Sequence, residues 1–396
     1  MPKRYRYKSN KRFYFDPLLV IATSGLLLIG YVMVVSASLH LGAKSGDIWH
    51  YPIRQLIHIV LGIVLAKGVA SIPLREWEKS GQLLFIIGLL LLIIVLIPGL
   101  GMKVNGSTRW LSVLGIRIQV SEIVKFFSVI YMAGYVNRHA LSVRESAFGL
   151  FKPLLLFSVA CMLLLLEPDF GSAVVILIIA MGIMFLAGAR LSQFILLIGI
   201  VTVLAALLIL FEPYRMKRVT SFTNPWADPL DSGFQLVQAL ISFGRGEWLG
   251  VGLGSGVQKL FYLPEAHTDF LFSVIAEELG LLGVISVIIL FTLLVCRSFS
   301  IALAAEKLGL HFSAFIAYGL GIWFGFQAFV NMGVNMGILP TKGLTLPLMS
   351  YGGGSMMTMC CAVGLLFRVH SEIIEFTKNQ PKKKHFTVFT PAAAHS

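Results

Sequence analysis

Ten runs of apolar residues, near 17–38, 53–72, 81–98, 119–136, 152–167, 171–188, 191–211, 270–296, 312–335 and 353–369, constrain this 396-residue chain more than any single motif. A helix crosses a ~30 Å hydrocarbon core in about 20 residues, the length these runs reach or approach. None shows the alternation of a membrane-barrel strand. With 57% hydrophobic and only 13% charged residues, the chain has too little polar surface for a soluble fold. The expected fold is an all-α polytopic membrane protein of about ten transmembrane helices.

The placement of charge orients these spans. The net charge is +13, and much of it lies in the tails: Lys3, Arg4, Arg6, Lys8, Lys11 and Arg12 at one end, Lys378, Lys382, Lys383 and Lys384 at the other. By the positive-inside rule both tails are cytoplasmic, which an even number of spans requires. Arg75 and Lys79, Arg138 and Arg144, Arg190, and Arg297 and Lys307 then fall on that same side. Tails of this kind touch anionic lipid, and nucleic acid is not expected as a partner. The organisation is a basic tail over 1–16, one membrane domain over 17–369 and a second basic tail over 370–396. The first run follows a basic segment and ends in Ser36-Ala37-Ser38, as a signal peptide does. It is longer than a signal core and many spans follow, so it reads as a retained first helix. The four cysteines have no CxxC spacing, which points away from a disulfide framework or a metal cluster.

The outer loops are 39–52, 99–118, a tight turn at 167–170, 212–269 and 336–352. The segment 212–269 is too long for a plain connection. Its aromatics, glycines and mixed charges are not a disorder signature, so it is expected to fold as an ordered cap.

Chemistry concentrates in QKLFYLPEAHTDFLFSVIAEELG, residues 258–280. Lys259, Glu265, His267 and Asp269 precede the eighth span, and Glu277 and Glu278 lie inside it. Ionisable groups at or within a bilayer are functional candidates by default. Asp269 is either the helix N-cap, for which Asp is favoured, or a general base. Glu265, His267 and Asp269 have too few ligands for a closed zinc site; a mostly hydrated Mg2+ or Mn2+ beside a diphosphate needs only one or two carboxylates. Glu277 and Glu278, about 12 Å deeper at 1.5 Å per residue, favour structural ion pairing over catalysis. Glu122 and Lys125, three residues apart, pair on one face of the fourth span, as a structural tie or as the wall of a polar cavity. Arg109 in NGSTRWL, and Arg215, Lys217 and Arg218, are either interfacial anchors or clamps for a diphosphate. The glycines of PTKGLTLPLMSYGGGS, residues 340–355, serve either a ligand's close approach or tight turns.

In order along the chain, NGSTRWL, QVSEIVK, EPDFGS at 167–172, NPWADP at 224–229, GFQ at 233–235, LPEAHTDF, EELG and PTKGLTLPLMSYGGGS resemble the motifs of the SEDS family of bacterial cell-wall polymerases. The resemblance runs from the first span to the last. Thr341-Lys342-Gly343-Leu344-Thr345-Leu346-Pro347, with SFGRGEW at 242–248, is more similar to the division-type branch than to the elongation-type branch. Val120 stands where the family usually has Pro, and Gly354 where it has Ser.

The resemblance implies a peptidoglycan glycosyltransferase acting on lipid II at the division septum of the bacterial cytoplasmic (inner) membrane. Asp269 would be the essential carboxylate. Substrate contacts would come from Arg109, Arg215 and Arg218 at the diphosphate, from Glu122, Lys125 and Lys259, from Glu265 and His267, and from Lys342 and Ser350 in the glycine-rich loop. The implied partners are a class B penicillin-binding protein, the septal transpeptidase, and other divisome membrane proteins. A lipid II flippase that uses the intramembrane charges as a path, a scaffold without chemistry and an elongation-type polymerase are the alternatives.

Overall fold

The computed structural model describes residues 13–379 apart from 105–106, 114–115, 212, 232, 261 and 341–342. Along the chain run α1 (Pro17–Ser45), α2 (His50–Ser71), α3 (Leu74–Leu96), β1 (Met102–Val104), β2 (Ser107–Val113), β3 (Ile116–Gln119), α4 (Val120–Arg138), α5 (Ala140–Glu145), α6 (Ala147–Leu166), α7 (Phe170–Leu186) and α8 (Leu191–Leu210). There follow α9 (Pro213–Thr223), a 3-10 turn (Pro225–Ala227), α10 (Phe234–Gly246), α11 (Leu271–Lys307), α12 (His311–Asn335) and α13 (Gly353–Asn379).

Each of the ten apolar runs is one helix: α1 to α4, α6 to α8 and α11 to α13. Among the described residues, seven of them (α1, α2, α3, α6, α11, α12 and α13) are long and apolar enough to cross a membrane. α7 is a shorter apolar helix, the described part of α8 is apolar over Leu191–Leu204, and α4 carries Glu122 and Lys125 within its length. Several helices outrun their apolar stretch, α11 to Lys307 and α13 to Asn379. Hydropathy marks where apolar residues stop, whereas backbone hydrogen bonding continues until a cap ends it. The 99–118 loop is not irregular: it folds as an antiparallel sheet in the order β1-β2-β3, with Leu111 opposite Ile118.

α4, α7, α12 and α13 pack at the centre, while α2, α3 and α8 turn residues such as Val64, Leu83 and Val203 outward, as helices facing lipid do. With no hydrophobic drive between helices in lipid, small residues at the crossings gain contact. α2 and α13 meet in this way: a Cβ on Gly364 would sit 2.4 Å from the Ala66 carbonyl oxygen, and one on Gly62 would sit 2.9 Å from Cys360 Sγ. At one face the described chain ends converge. Asp16 caps α1 through Leu19 N at 3.0 Å and pairs with Arg297 of α11, while the Tyr14 amide donates to Ser371 of α13 at 2.7 Å.

The described residues of the segment 212–269 fold into α9, the 3-10 turn and α10, as an ordered cap would, but the segment does not stay on top of the bundle. Beyond α10 its backbone inserts into a break in α11 at Gly280 (φ 64°). A straight helix would bond Leu281 N to the Glu277 carbonyl and Leu282 N to that of Glu278. Instead Leu281 N and Leu282 N donate to the carbonyls of Glu247 and Trp248, at 2.9 and 3.2 Å. Val251 N and Gly252 N donate to the freed carbonyls of Glu277 and Glu278, at 3.0 and 3.1 Å. Two lost helical bonds are replaced by four, which is how irregular backbone survives inside a membrane bundle. Glycine makes the room: a Cβ on Gly246 would lie 1.8 Å from the Ala276 carbonyl oxygen, and one on Gly250 2.1 Å from that of Glu278.

Candidate active site

Asp269 lies one residue before the cap of α11. That cap is Phe270, which makes no side-chain capping bond, so Asp269 is not the helix N-cap. The role is filled from α12: Asn335 Oδ1 accepts from Ser273 N at 3.1 Å and from Ser273 Oγ at 2.7 Å. Asn335 Nδ2 and Asn331 Nδ2 both donate to the Asp269 carbonyl, at 3.0 and 2.8 Å. The half-buried Asp269 carboxylate is thereby set against Gly343, where a Cβ would come within 2.9 Å of Oδ2. A side chain at 343 would push the carboxylate aside.

The 343–352 loop forms the opposite wall, and it is tied to the Asp269 loop at several points. Ser350 Oγ donates to the Thr268 carbonyl at 2.6 Å and accepts from Leu346 N at 2.9 Å. Tyr351 N donates to the His267 carbonyl at 2.9 Å, and Asn331 Nδ2 donates also to the Leu344 carbonyl at 2.6 Å. The His267 ring sits between Tyr51 and Tyr351, with ring centroids 5.2 and 5.3 Å away. Burial lowers its pKa, against the opposing effect of Glu265. Glu265 is exposed at the rim, with its Oε2 accepting from Thr268 Oγ1 at 2.8 Å. Among the described residues, no three acidic, His or Cys side chains converge to hold a metal ion. Glu265, His267 and Asp269 therefore do not form a chelating set.

Glu122 and Lys125 reach the same loop from below. Lys125, fully buried, donates to Glu122 at 2.6 Å and to Gln327 Oε1 at 3.0 Å, and lies 5.7 Å from the Trp323 ring centroid. Gln327 Nε2 in turn donates to the Thr345 carbonyl at 3.0 Å. This buried pair is continuous, bond by bond, with the wall that faces Asp269. The glycines at the end of the loop approach the chain's own backbone and side chains: a Cβ on Gly353 would meet His58 Nε2 at 2.7 Å, and one on Gly354 would meet Gln119 N at 2.8 Å. Both departures from the family pattern fall at this contact, since Val120 follows Gln119 as the first residue of α4.

Other sequence candidates lie elsewhere. Lys259 is buried and bonds Glu278, Ser36 Oγ (2.8 Å) and the Gly254 carbonyl (2.9 Å). Glu278 also accepts from Gly254 N at 3.0 Å, and Glu277 accepts from Val257 N at 3.0 Å with Arg245 3.4 Å away. The expected ion pairing of these glutamates is what the fold contains, and it anchors the inserted loop. Arg109 gives Nε to the Glu167 carbonyl at 3.0 Å and Nη2 to that of Pro168 at 2.6 Å, pinning β2 to the α6–α7 turn. Lys342 and the side chains of Arg215 and Arg218 lie outside the described residues.

Beside that turn, Glu167 is buried, and among the described residues neither carboxyl oxygen has a hydrogen-bond partner. Burial pushes its pKa up to about 8, with Asp169 raising it further and Arg109 lowering it. A raised folded-state pKa means that the folded chain holds this proton more tightly than the unfolded chain does. The resulting stability is complete below the ordinary value of 4.5 and is lost as pH rises through about 8. Glu167→Gln keeps the shape without the charge. Its melting temperature is expected to fall less than wild type between about pH 5 and about pH 9, a difference of a few kcal/mol at most. Parallel melting curves for the two proteins across that range would exclude the effect.

The residues that sequence reasoning missed are Gln327, Asn331 and Asn335, which recur every four residues on one face of α12, and Arg54 and Arg117. The last two are exposed and flank the Tyr351 hydroxyl: Arg54 hydrogen-bonds it and the Arg117 charge acts on it. Burial still leaves that phenol's pKa raised.

Residues 17–374 match the FtsW/RodA/SpoVE family model, described as "Cell cycle protein". The chain is 65% identical over 374 residues to a probable peptidoglycan glycosyltransferase FtsW of Methylomonas methanica, covering 94% of this chain and 96% of that one. Among solved structures it is similar to a chain of a peptidoglycan synthase complex that coordinates polymerization and crosslinking, with a TM-score of 0.73 and 30% identity over 91% of this chain and 98% of that one. It is also similar to the rod shape determining protein RodA of Thermus thermophilus, with a TM-score of 0.66 and 27% identity over 90% and 96% of the two chains. The chain thus belongs to the FtsW/RodA/SpoVE family of polytopic membrane proteins, the SEDS family.

Proposed function

We propose that this protein is a peptidoglycan glycosyltransferase of the division type, polymerising lipid II into glycan strands and releasing undecaprenyl diphosphate. The observation that carries it is the half-buried Asp269 carboxylate, held through its backbone against the 343–350 loop, at the end of an apolar bundle. A substrate with sugars in water and a polyprenyl tail in lipid suits that position. The 65% identity to a relative named for this activity, against 27% to the elongation-type RodA, supports the division-type assignment.

Asp269 accepts the proton of the acceptor GlcNAc C4 hydroxyl. The C4 oxygen then bonds the anomeric carbon of the donor MurNAc as the bond from that carbon to the diphosphate oxygen breaks. Undecaprenyl diphosphate departs with the electron pair, and its charge needs cations. Arg109 already spends two donors on carbonyls, whereas Arg54 and Arg117 stand exposed at the lip beside Tyr351. Those two are the better clamp. A mostly hydrated Mg2+ or Mn2+ would take Asp269 as its one protein carboxylate and would supply charge neutralisation at the diphosphate; no step here depends on one.

The partner is a class B penicillin-binding protein that cross-links the strand, as the similarity to a synthase complex supports, together with other divisome membrane proteins. The protein acts in the cytoplasmic membrane at the septum with both termini inside. The intramembrane charges favour polymerase over flippase, because Lys125 with Glu122 and Lys259 with Glu278 are each neutralised in place. The test is polymerisation of purified lipid II by the full chain with its partner. Strands with release of undecaprenyl diphosphate are expected. No strands, with fluorescent lipid II still crossing vesicle leaflets, would overturn the assignment in favour of a flippase.

A further inference from the structure

Asn331 and Asn335 are buried on a mostly apolar helix, one and two turns beyond Gln327. A buried amide is costly unless its donors and acceptors are used, and these are used on the Asp269 loop and the 343–350 loop. Asn331 Nδ2 bridges the carbonyls of Asp269 and Leu344, one from each wall. Asn335 Nδ2 adds a second donor to the Asp269 carbonyl and one to the Asn331 carbonyl, at 2.9 Å. Its Oδ1 takes the amide and hydroxyl of Ser273, fixing where α11 starts. Asp269 itself sits in irregular backbone, whose position is only as definite as the groups that hold it.

We propose that Asn331 and Asn335 are positioning residues that set the distance between the Asp269 carboxylate and the 343–350 wall. The inference rests on Asp269 being the base. The bland alternative is that the two amides only satisfy orphan backbone groups and stabilise the fold. The two predict different kinetics. Displacement of a catalytic group by about 1 Å costs on the order of 10²-fold in rate, with little effect on substrate affinity. A purely structural role lowers the folded fraction and leaves turnover per folded enzyme unchanged.

Asn335→Asp separates the two roles. It keeps an acceptor for Ser273 at the positive end of α11 and loses the donor to the Asp269 carbonyl. Asn331→Ser removes the other donor independently. For each, measured on the monodisperse full chain with its partner and lipid II, kcat is expected to fall by roughly 10²-fold while KM stays within a few-fold of wild type. Asn335→Gln, which retains both donor and acceptor, recovers part of kcat. Asp269→Asn is run alongside. If it is inactive while all three asparagine variants turn over at the wild-type kcat, the positioning role is overturned and the base assignment stands. If Asp269→Asn is itself fully active, the base assignment falls and the positioning role falls with it. Should Asn335→Asp not fold, Asn331→Ser and Asn335→Gln decide: wild-type kcat in both overturns the proposal.

Discussion

Asp269→Asn is expected to abolish glycan polymerisation while the protein folds and binds its substrate as before. A positioned general base contributes about 10²- to 10⁴-fold, and the amide that replaces it has the same shape and accepts no proton. Stability is expected to hold because the bonds from α12 that fix this loop go to the backbone of residue 269, which the substitution leaves in place. Its carbonyl receives Asn331 and Asn335, and Asn335 bonds the start of α11 through Ser273. A melting temperature near wild type, with lipid II binding retained and strand synthesis lost, is the signature. Synthesis at the wild-type rate would place the base elsewhere. A fall in melting temperature and in activity together would mean that the side chain itself has a structural role.

The second large effect concerns Lys259 and Glu278, nineteen residues apart and buried together with Ser36. Breaking a buried pair leaves one charge without its partner and costs about 3–5 kcal/mol, whereas removing both charges costs far less. Lys259→Met and Glu278→Gln are each expected to lower the melting temperature sharply, and the double variant less than the sum of the two. The damage should extend to activity. Glu278 holds the inserted loop through Gly254 N, and that loop replaces the missing helical bonds at Gly280. Additive losses in a double-mutant cycle would sink this account, since they would mean that the two charges do not depend on each other.

Much of the fold was legible because lipid imposes a simple rule. A spanning helix must be apolar over most of its length, so ten apolar runs became ten helices. The exceptions have physical causes. The break at Gly280 is invisible to hydropathy, since Leu281 and Leu282 are as apolar as any helical pair. It shows only when the chain near Glu247 supplies the replacement bonds. The sheet over Met102–Gln119 was hidden in a loop because its strands are as short as three residues.

The candidate site divides in the same way. Asp269 stands out in the sequence because a carboxylate at the lip of a span is costly, and Glu122 and Lys125 stand out for the same reason. Asn331 and Asn335 were passed over because amides carry no charge, although their four-residue spacing was there to be read. Arg109 is a case in the other direction. Its charge invited a diphosphate, while its hydrogen bonds are spent on the Glu167 and Pro168 carbonyls. What the sequence by itself determined is the membrane class, the ten apolar helices and the carboxylate that stands out at the end of one of them, since each follows from the cost of placing a residue type in lipid. Only the tertiary structure decided which polar groups meet between α12, the Asp269 loop and the 343–350 loop, because a hydrogen bond depends on where two distant segments meet, and hydropathy and charge carry no record of that.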